Sequence, residues 1–243
     1  MDPLTAAAAS GLQSRMDSMD ILANNLANTG TSGFKADREF YSTYLAPEIA
    51  NGVDSTVGEA PVVQRQWTDF AQGTLLSTGN ATDLALSGSG FFAVNGPNGV
   101  LYTRNGSFRF SPQGTLVTSE GYPVRLTGGQ TLQTQSTSPL QVQPDGEISQ
   151  DGNVLGQLEL AGFNDPSKLD KFAGAYFQSS SAATAATGAQ VYQGKLESSN
   201  AAPAEAAARM VTLLRHFEML QHAVKIGAEM NRQAIQEVAR VGS

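Results

Sequence analysis

Apolar residues recur near the start of the chain at Leu4, Ala8, Leu12, Met16, Met19, Leu22 and Leu26, in steps of three and four. Their mean spacing of about 3.7 is the helical period and predicts one helix over residues 4–28. Pro3 suits its first turn, and Asn28-Thr29-Gly30 ends the pattern, the glycine being expected to supply a left-handed exit. A second run extends from Pro203 to about Arg240. It places Met210, Leu213, Phe217, Leu220, Val224, Gly227, Asn231, Ala234, Val238 and Val241 three and four apart throughout. A mean spacing of about 3.5 is a heptad seam, weakened midway by Gly227 and Asn231. Such a helix of about 37 residues is about 55 Å long. A small β module cannot cover that length, so the N-terminal helix is its expected partner.

Between these ends the periodicity changes. Residues 36–82 show no sustained period and read as a connector, with short strands near Val62-Val63 and Leu75-Leu76. From Asp83 to about Leu160 the chain reads as short strands and tight turns. Phe91–Val94 precedes Asn95-Gly96, Val100–Arg104 precedes Asn105-Gly106, and Asp145-Gly146 and Asp151-Gly152 flank Glu147–Gln150. Asn-Gly is favoured where both central residues of a hairpin need positive φ. The module is therefore expected to be antiparallel, with residues 178–190 a low-complexity loop. The fold class predicted is α+β: an antiparallel β-rich middle domain, with N- and C-terminal helices packed together as a coiled-coil-like α domain. The expected division is 1–35 with 200–243 (terminal helices), 36–82 (connector) and 83–199 (β-rich).

Composition then narrows the function. With 15 Lys and Arg against 22 Asp and Glu, the net charge of −7 leaves no basic surface to grip a phosphate backbone, so nucleic acid is not an expected partner. Cysteine is absent and there are two histidines, which removes disulfides, thiolate metal sites and most His chemistry. No run approaches the roughly 20 apolar residues of a membrane span. Met1-Asp2-Pro3-Leu4 has no basic leader, so any export is expected to proceed without a cleaved signal.

The candidate chemistry is weak. His216 and His222 are six apart on a helix and cannot jointly ligate a metal. Ser87-Gly88-Ser89-Gly90 lacks the Lys-Ser/Thr of a phosphate loop and reads as a turn. Asp145, Asp151 and Asn153 do not have calcium-loop spacing. Pairing Asp69 with Asp83, or Glu147 with Glu159, as acid and base has no support beyond chance. Phe91, Phe92, Tyr102, Phe108 and Phe110 suit a β core better than a stacking platform. No enzyme, cofactor or metal site is expected.

Four separated blocks carry a resemblance. Asn24-Asn25-Leu26-Ala27-Asn28-Thr29-Gly30-Thr31-Ser32-Gly33-Phe34-Lys35 resembles the N-terminal signature of the bacterial flagellar axial family, which includes rod and hook proteins. Asp83–Leu86 with Gly88–Phe92 is similar to that family's entry into its β domain. Tyr102–Phe108 and Gly114–Thr118 continue the match, and Gly194-Lys195-Leu196-Glu197-Ser198-Ser199-Asn200 resembles the lead into its C-terminal helix. Ala201 stands where the family usually has valine. Chain length and the Leu213–Glu218 block look more like the proximal-rod type than its longer distal-rod relative.

The resemblance implies an inner α domain of terminal helices lining an axial tube, a β module outside it, and helical stacking of subunits. It also implies partnership with itself, with other rod and hook proteins and with the flagellar type III export apparatus, and residence in the flagellar basal body. The residues it marks for assembly are Asn24, Asn25, Leu26, Ala27, Asn28, Thr31, Gly33, Phe34 and Lys35. Toward the C-terminus it marks Leu196, Glu197, Ser198, Asn200, Met210, Leu213, Phe217, Leu220 and Val224. Near a helix end, Asn24, Asn25 and Asn28 can bond buried backbone, or Asn28 and Gly30 can simply cap the helix; both readings stand. The competing class is a β-sheet binding module on a helical oligomerisation stalk; a peptidoglycan-trimming enzyme is weaker still.

Overall fold

The computed structural model describes residues 3–45, 59–136 and 138–241. Two compact units divide the chain. One comprises Met1–Ala27, Asp37–Trp67 and Pro203–Ser243; the other comprises Asn28–Ala36 and Thr68–Ala202. The chain therefore passes from one to the other at 27/28, 36/37, 67/68 and 202/203. Residues 28–35, grouped with the terminal helices in the sequence reading, fall together with Ala36 in the β-rich unit.

The first unit contains helix α1 (Pro3–Ala27), strands β1 (Asp37–Leu45) and β2 (Glu59–Thr68), which pair with each other, and helix α2 (Pro203–Val241). Two strands of nine and ten residues thus occupy much of the expected connector. A two-stranded ribbon gives no sheet-wide alternation to read, which hides it from periodicity. Leu22, Ala206 and Leu213 form the buried cluster between the helices, with Met19 and Met210 packed against it. On α2 the predicted seam is the inward face: Leu213 is buried and Met210, Phe217, Leu220, Val224 and Gly227 are half-buried. The side chains of Asn231, Ala234, Val238 and Val241 lie outside the described residues, as do those of Leu4 and Ala8.

On α1 the expected helix forms, and Leu22 and Met19 of its apolar stripe pack toward α2, but the stripe is only partly inward. Met16 and Leu26 are exposed at 47% and 37%, while Gly11, Ser14, Ser18, Leu22 and Asn25 are buried. Small and polar residues share the inward face with Leu22, Gly11 standing beside Leu220, where an added Cβ would make an ordinary contact at 3.8 Å. The Ser18 hydroxyl is satisfied by donating to the Ser14 carbonyl at 2.9 Å.

The β-rich unit runs β3 (Leu75–Ser77), β4 (Leu84–Ser87), β5 (Phe91–Gly96), β6 (Gly99–Thr103), β7 (Arg109–Phe110), β8 (Leu116–Val117) and β9 (Gln141–Val142). It continues with β10 (Glu147–Gln150), β11 (Asn153–Gln157), β12 (Leu160–Gly162), β13 (Asp170–Ala173), β14 (Tyr176–Gln178), β15 (Thr184–Ala185), β16 (Gln190–Gln193) and β17 (Lys195–Glu197). A six-stranded sheet has the order β13-β14-β6-β5-β12-β15, with each ladder antiparallel. β10 lies between β11 and β9. The last strands return to the first: β16 pairs with β4 and β17 with β3, Leu196 lying opposite Leu76.

Strand β5 is covered on both faces. Phe92 and Val94 point into a core with Leu84, Leu86, Phe108, Leu116 and Ile148. Phe91 and Ala93 point into a second cluster with Tyr102, Leu169 and Phe177. The aromatic set is thus core, with Phe92 and Phe108 edge-to-face at 5.3 Å, and Phe110 half-buried at its margin.

Neither Asn95-Gly96 nor Asn105-Gly106 forms the positive-φ turn expected of it. The β5–β6 loop is Pro97-Asn98, closed by Gly96 opposite Gly99. Asn95 instead accepts from Arg125 at 2.9 Å. Gly106 serves close approach: a Cβ there would lie 1.7 Å from the Leu84 carbonyl oxygen. Asp151-Gly152 does turn with positive φ, and the expected loop 178–190 contains the short edge strand β15.

One polar pair in this unit, a buried tyrosine and an exposed glutamate, is pH-linked. Tyr176 donates its hydroxyl hydrogen to the Glu120 carboxylate. Burial alone would raise the Glu120 pKa, but hydrogen bonds from Tyr176, its own backbone and Ser119 carry it below the ordinary value. A carboxyl lowered on folding stabilises above its unfolded pKa, and that contribution fades as pH falls through the folded value. Replacing Tyr176 with Phe is therefore expected to raise the Glu120 pKa, read by NMR titration. The cost is about 1 kcal/mol near neutral pH, at the low end because Glu120 is solvated, and shrinks in acid.

Candidate functional site

The segment that follows α1 is built to enter the β-rich unit. Asn25, on α1's last turn, stays with the helical unit and pairs there like a strand. Its Nδ2 donates to the Asp37 carbonyl at 2.7 Å and its Oδ1 accepts from the Asp37 N–H at 2.9 Å. Asn28 and Thr31 close a turn, the Thr31 N–H donating to the Asn28 carbonyl at 3.1 Å. The left-handed residue is Gly33, at φ +68°, rather than Gly30. A Cβ at Gly33 would lie 2.2 Å from the backbone nitrogen of Asn105, so only glycine lets the chain pass. Phe34 and Lys35 then become completely buried.

Lys35 meets two charges from distant parts of the sequence. Its Nζ lies 2.5 Å from Glu197 Oε1 and donates to the Ala71 carbonyl at 2.7 Å. Arg104 Nη1 lies 3.3 Å from Glu197 Oε2, and Nη2 donates to the Gly88 carbonyl at 2.6 Å. The Gly73 N–H donates to Glu197 Oε1 at 2.9 Å. One fully buried carboxylate thus serves two cations and a backbone amide. Burial pushes the Lys35 pKa down against the opposing pull of Glu197, and lowers that of Arg104 in the same way. The glycine turn at 87–90, which cannot hold phosphate, cradles a guanidinium instead.

Asn200 fastens the same place. Its Oδ1 accepts from the Ala36 N–H at 2.8 Å, while Nδ2 donates to the carbonyls of Asp69 at 2.7 Å and Ala71 at 3.1 Å. The Gly33 N–H donates to the Glu197 carbonyl at 2.7 Å. Phe34, Ala36 and Ala201 form a small apolar cluster, and Lys171 Nζ stands 4.2 Å from the Phe34 ring. Residues 28–36, 69–73 and 197–201 adjoin all four points where the chain leaves this unit. The node is a fastening. Every charge in it is buried against protein partners, and among the described residues no cluster of acidic or His side chains is placed to hold a metal.

The structure thus brings Gly33, Phe34, Lys35, Glu197 and Asn200 together. Asn24, Leu26 and Ala27 are exposed on α1; Leu196 and Ser198 flank the node, the Ser198 N–H donating to the Thr74 carbonyl at 2.9 Å. Met210, Leu213, Phe217, Leu220 and Val224 lie on the α2 seam. Sequence reasoning missed Arg104, Asp69, Ala71 and Gly73. Arg104 stood inside a quoted block with no charged neighbour to mark it, and the other three act through the backbone. His216 and His222 are both exposed on α2.

Comparison with known proteins addresses the same blocks. Family models match three stretches: "Flagella basal body rod protein" over residues 6–35, "Flagellar hook protein FlgE/F/G D1 domain" over 85–155 and "Flagellar basal body rod FlgEFG protein C-terminal" over 192–237. The flagellar basal-body rod protein FlgF of Caulobacter vibrioides is 33% identical, over 92% of this chain and 92% of its own. The chain belongs to the flagellar basal-body rod protein family. The rod protein FlgG of Buchnera aphidicola subsp. Acyrthosiphon pisum is 30% identical over 90% of this chain and 94% of its own. That of Borreliella burgdorferi is 30% identical over 92% and 94%. Each family match contributes one charge to the node: Lys35, Arg104 and Glu197. The protein is a structural subunit of the basal-body rod, more similar to that FlgF than to these FlgG proteins, in a family that is not one of enzymes.

Proposed function

We propose that this rod subunit assembles helically through its terminal helices. In this reading, the unit that holds α1 and α2 is the tube-forming part and the β-rich unit is the outer module. Other rod and hook proteins and further copies are its neighbours, the flagellar type III apparatus delivers it without a cleaved signal, and the finished rod spans the periplasm and carries torque. The paired helices would continue into neighbours as coiled-coil-like layers. One observation carries this: on the helices Met16, Leu26, Val211, Leu214, Met219, Ile226 and Met230 are exposed, at 37–65% of their surface. So many large apolar side chains on one pair of helices mark a surface that other helices cover.

Deleting residues 204–243 is expected to abolish incorporation into isolated basal bodies and motility, while the truncated chain keeps its β circular dichroism. Normal incorporation of that truncation would overturn the tube-forming role of α2. A discrete trimer of the intact protein in sedimentation would favour the stalked binding module instead.

A further inference from the structure

Asn-Gly pairs occur in the sequence at 51–52, 95–96, 98–99 and 105–106, and the first lies outside the described residues. The other three share a dipeptide but not a setting. Asn95 is half-buried on β5, and its Oδ1 accepts from Arg125 Nη1 at 2.9 Å. A Cβ on the following Gly96 would lie 2.5 Å from the Leu101 side chain. Asn105 is also half-buried; its Oδ1 accepts from the Ser107 N–H at 3.0 Å, and Gly106 is buried against Leu84. Asn98 stands apart. Pro97, Asn98 and Gly99 are all exposed at the β5–β6 turn, and a Cβ on Gly99 would meet nothing within 4 Å. Within the described residues no hydrogen bond holds the Asn98 side chain.

We infer that Asn98 is a modification site, where the side-chain amide is lost spontaneously through a cyclic imide formed with the Gly99 nitrogen. The reaction needs the side-chain carbonyl carbon to meet the next backbone nitrogen, and glycine puts no Cβ in the way. Hydroxide takes the Gly99 amide proton, and the nitrogen attacks Asn98 Cγ. The N–Cγ bond forms, the Cγ–Nδ2 bond breaks, and Nδ2 leaves as ammonia after taking a proton from water. Water then opens the five-membered ring at either carbonyl, leaving an aspartyl or an isoaspartyl residue. Gly99 lies at the end of the β5–β6 ladder, opposite Gly96, where pairs open most readily. At Asn95 and Asn105 the same motion must first break the hydrogen bond on Oδ1 and move packed neighbours. Each event at Asn98 adds one negative charge. The isoaspartyl form also adds a methylene to the main chain between β5 and β6, the two middle strands of the six-stranded sheet.

The test uses the full-length protein, held in mildly alkaline buffer and sampled over time. Digestion with an acid-active protease and electron-transfer tandem mass spectrometry locate the mass gain of amide to carboxyl and separate isoaspartyl from aspartyl. Asn98 is expected to convert at least about tenfold faster than Asn95 or Asn105. One hydrogen bond to a charged group, such as Asn95 has, suffices for that factor. In denaturant the three should convert at similar rates, because the dipeptide is then the same and its surroundings are gone. N98Q is expected to abolish the early product and leave the melting temperature unchanged.

Conversion of Asn95 or Asn105 as fast as Asn98 in the folded protein would overturn the inference. So would an Asn98 that stays intact in the folded protein and converts only in denaturant.

Discussion

Glu197→Leu is expected to destabilise the β-rich unit by about 3–5 kcal/mol, because it leaves Lys35 and Arg104 buried without their shared counter-ion. Lys35→Met should cost distinctly less. Glu197 then keeps Arg104 and the Gly73 N–H, and a methionine of similar length fills the fully buried Lys35 site. The order, Glu197 well above Lys35, is the decisive outcome, because simple loss of one ion pair would make the two equal. Guanidinium unfolding of the full-length protein, followed by circular dichroism, measures both. Equal effects, or a neutral Glu197→Leu, would mean that water or a shifted backbone satisfies the two cations.

Gly33→Ala carries the other large effect. Alanine pays about 1–2 kcal/mol for the left-handed conformation, and its Cβ meets the backbone of Asn105, which has no rotamer to yield. A total loss of about 3 kcal/mol or more is expected. Gly30→Ala is the matched control, three residues earlier, with no positive φ and nothing within 4 Å of the added carbon. It should change the melting temperature little. If both glycines tolerate alanine alike, the path of 28–36 through the β-rich unit is looser than its hydrogen bonds imply.

What could be read from the chain followed what has a period. The α2 seam is visible because its inward residues are large and regularly spaced, and the β core because Phe91–Val94 is continuously apolar. On α1 the period was right, and only part of the apolar stripe faces inward. Leu22 and Met19 of the stripe pack toward α2, whereas Gly11, Ser14 and Ser18 are buried beside them, which hydrophobicity alone does not report. The Asn-Gly pairs were assigned to turns by propensity, but Asn95 is bonded to Arg125 and Gly106 is pressed against Leu84. At the node, Lys35 and Glu197 were legible only as parts of motifs. Their pairing joins positions 162 apart, and no local pattern carries that information.

That separation has a consequence for how the molecule comes into being. The carboxylate that neutralises Lys35 and Arg104 arrives only when about four-fifths of the chain is present, and loop closure over that span is slow and entropically unfavourable. A chain delivered from either end therefore stays unlocked until nearly all of it has emerged. The bond that seals the first segment in place thus depends on residues made long after it, and the N-terminal segment stays unlocked until they are present.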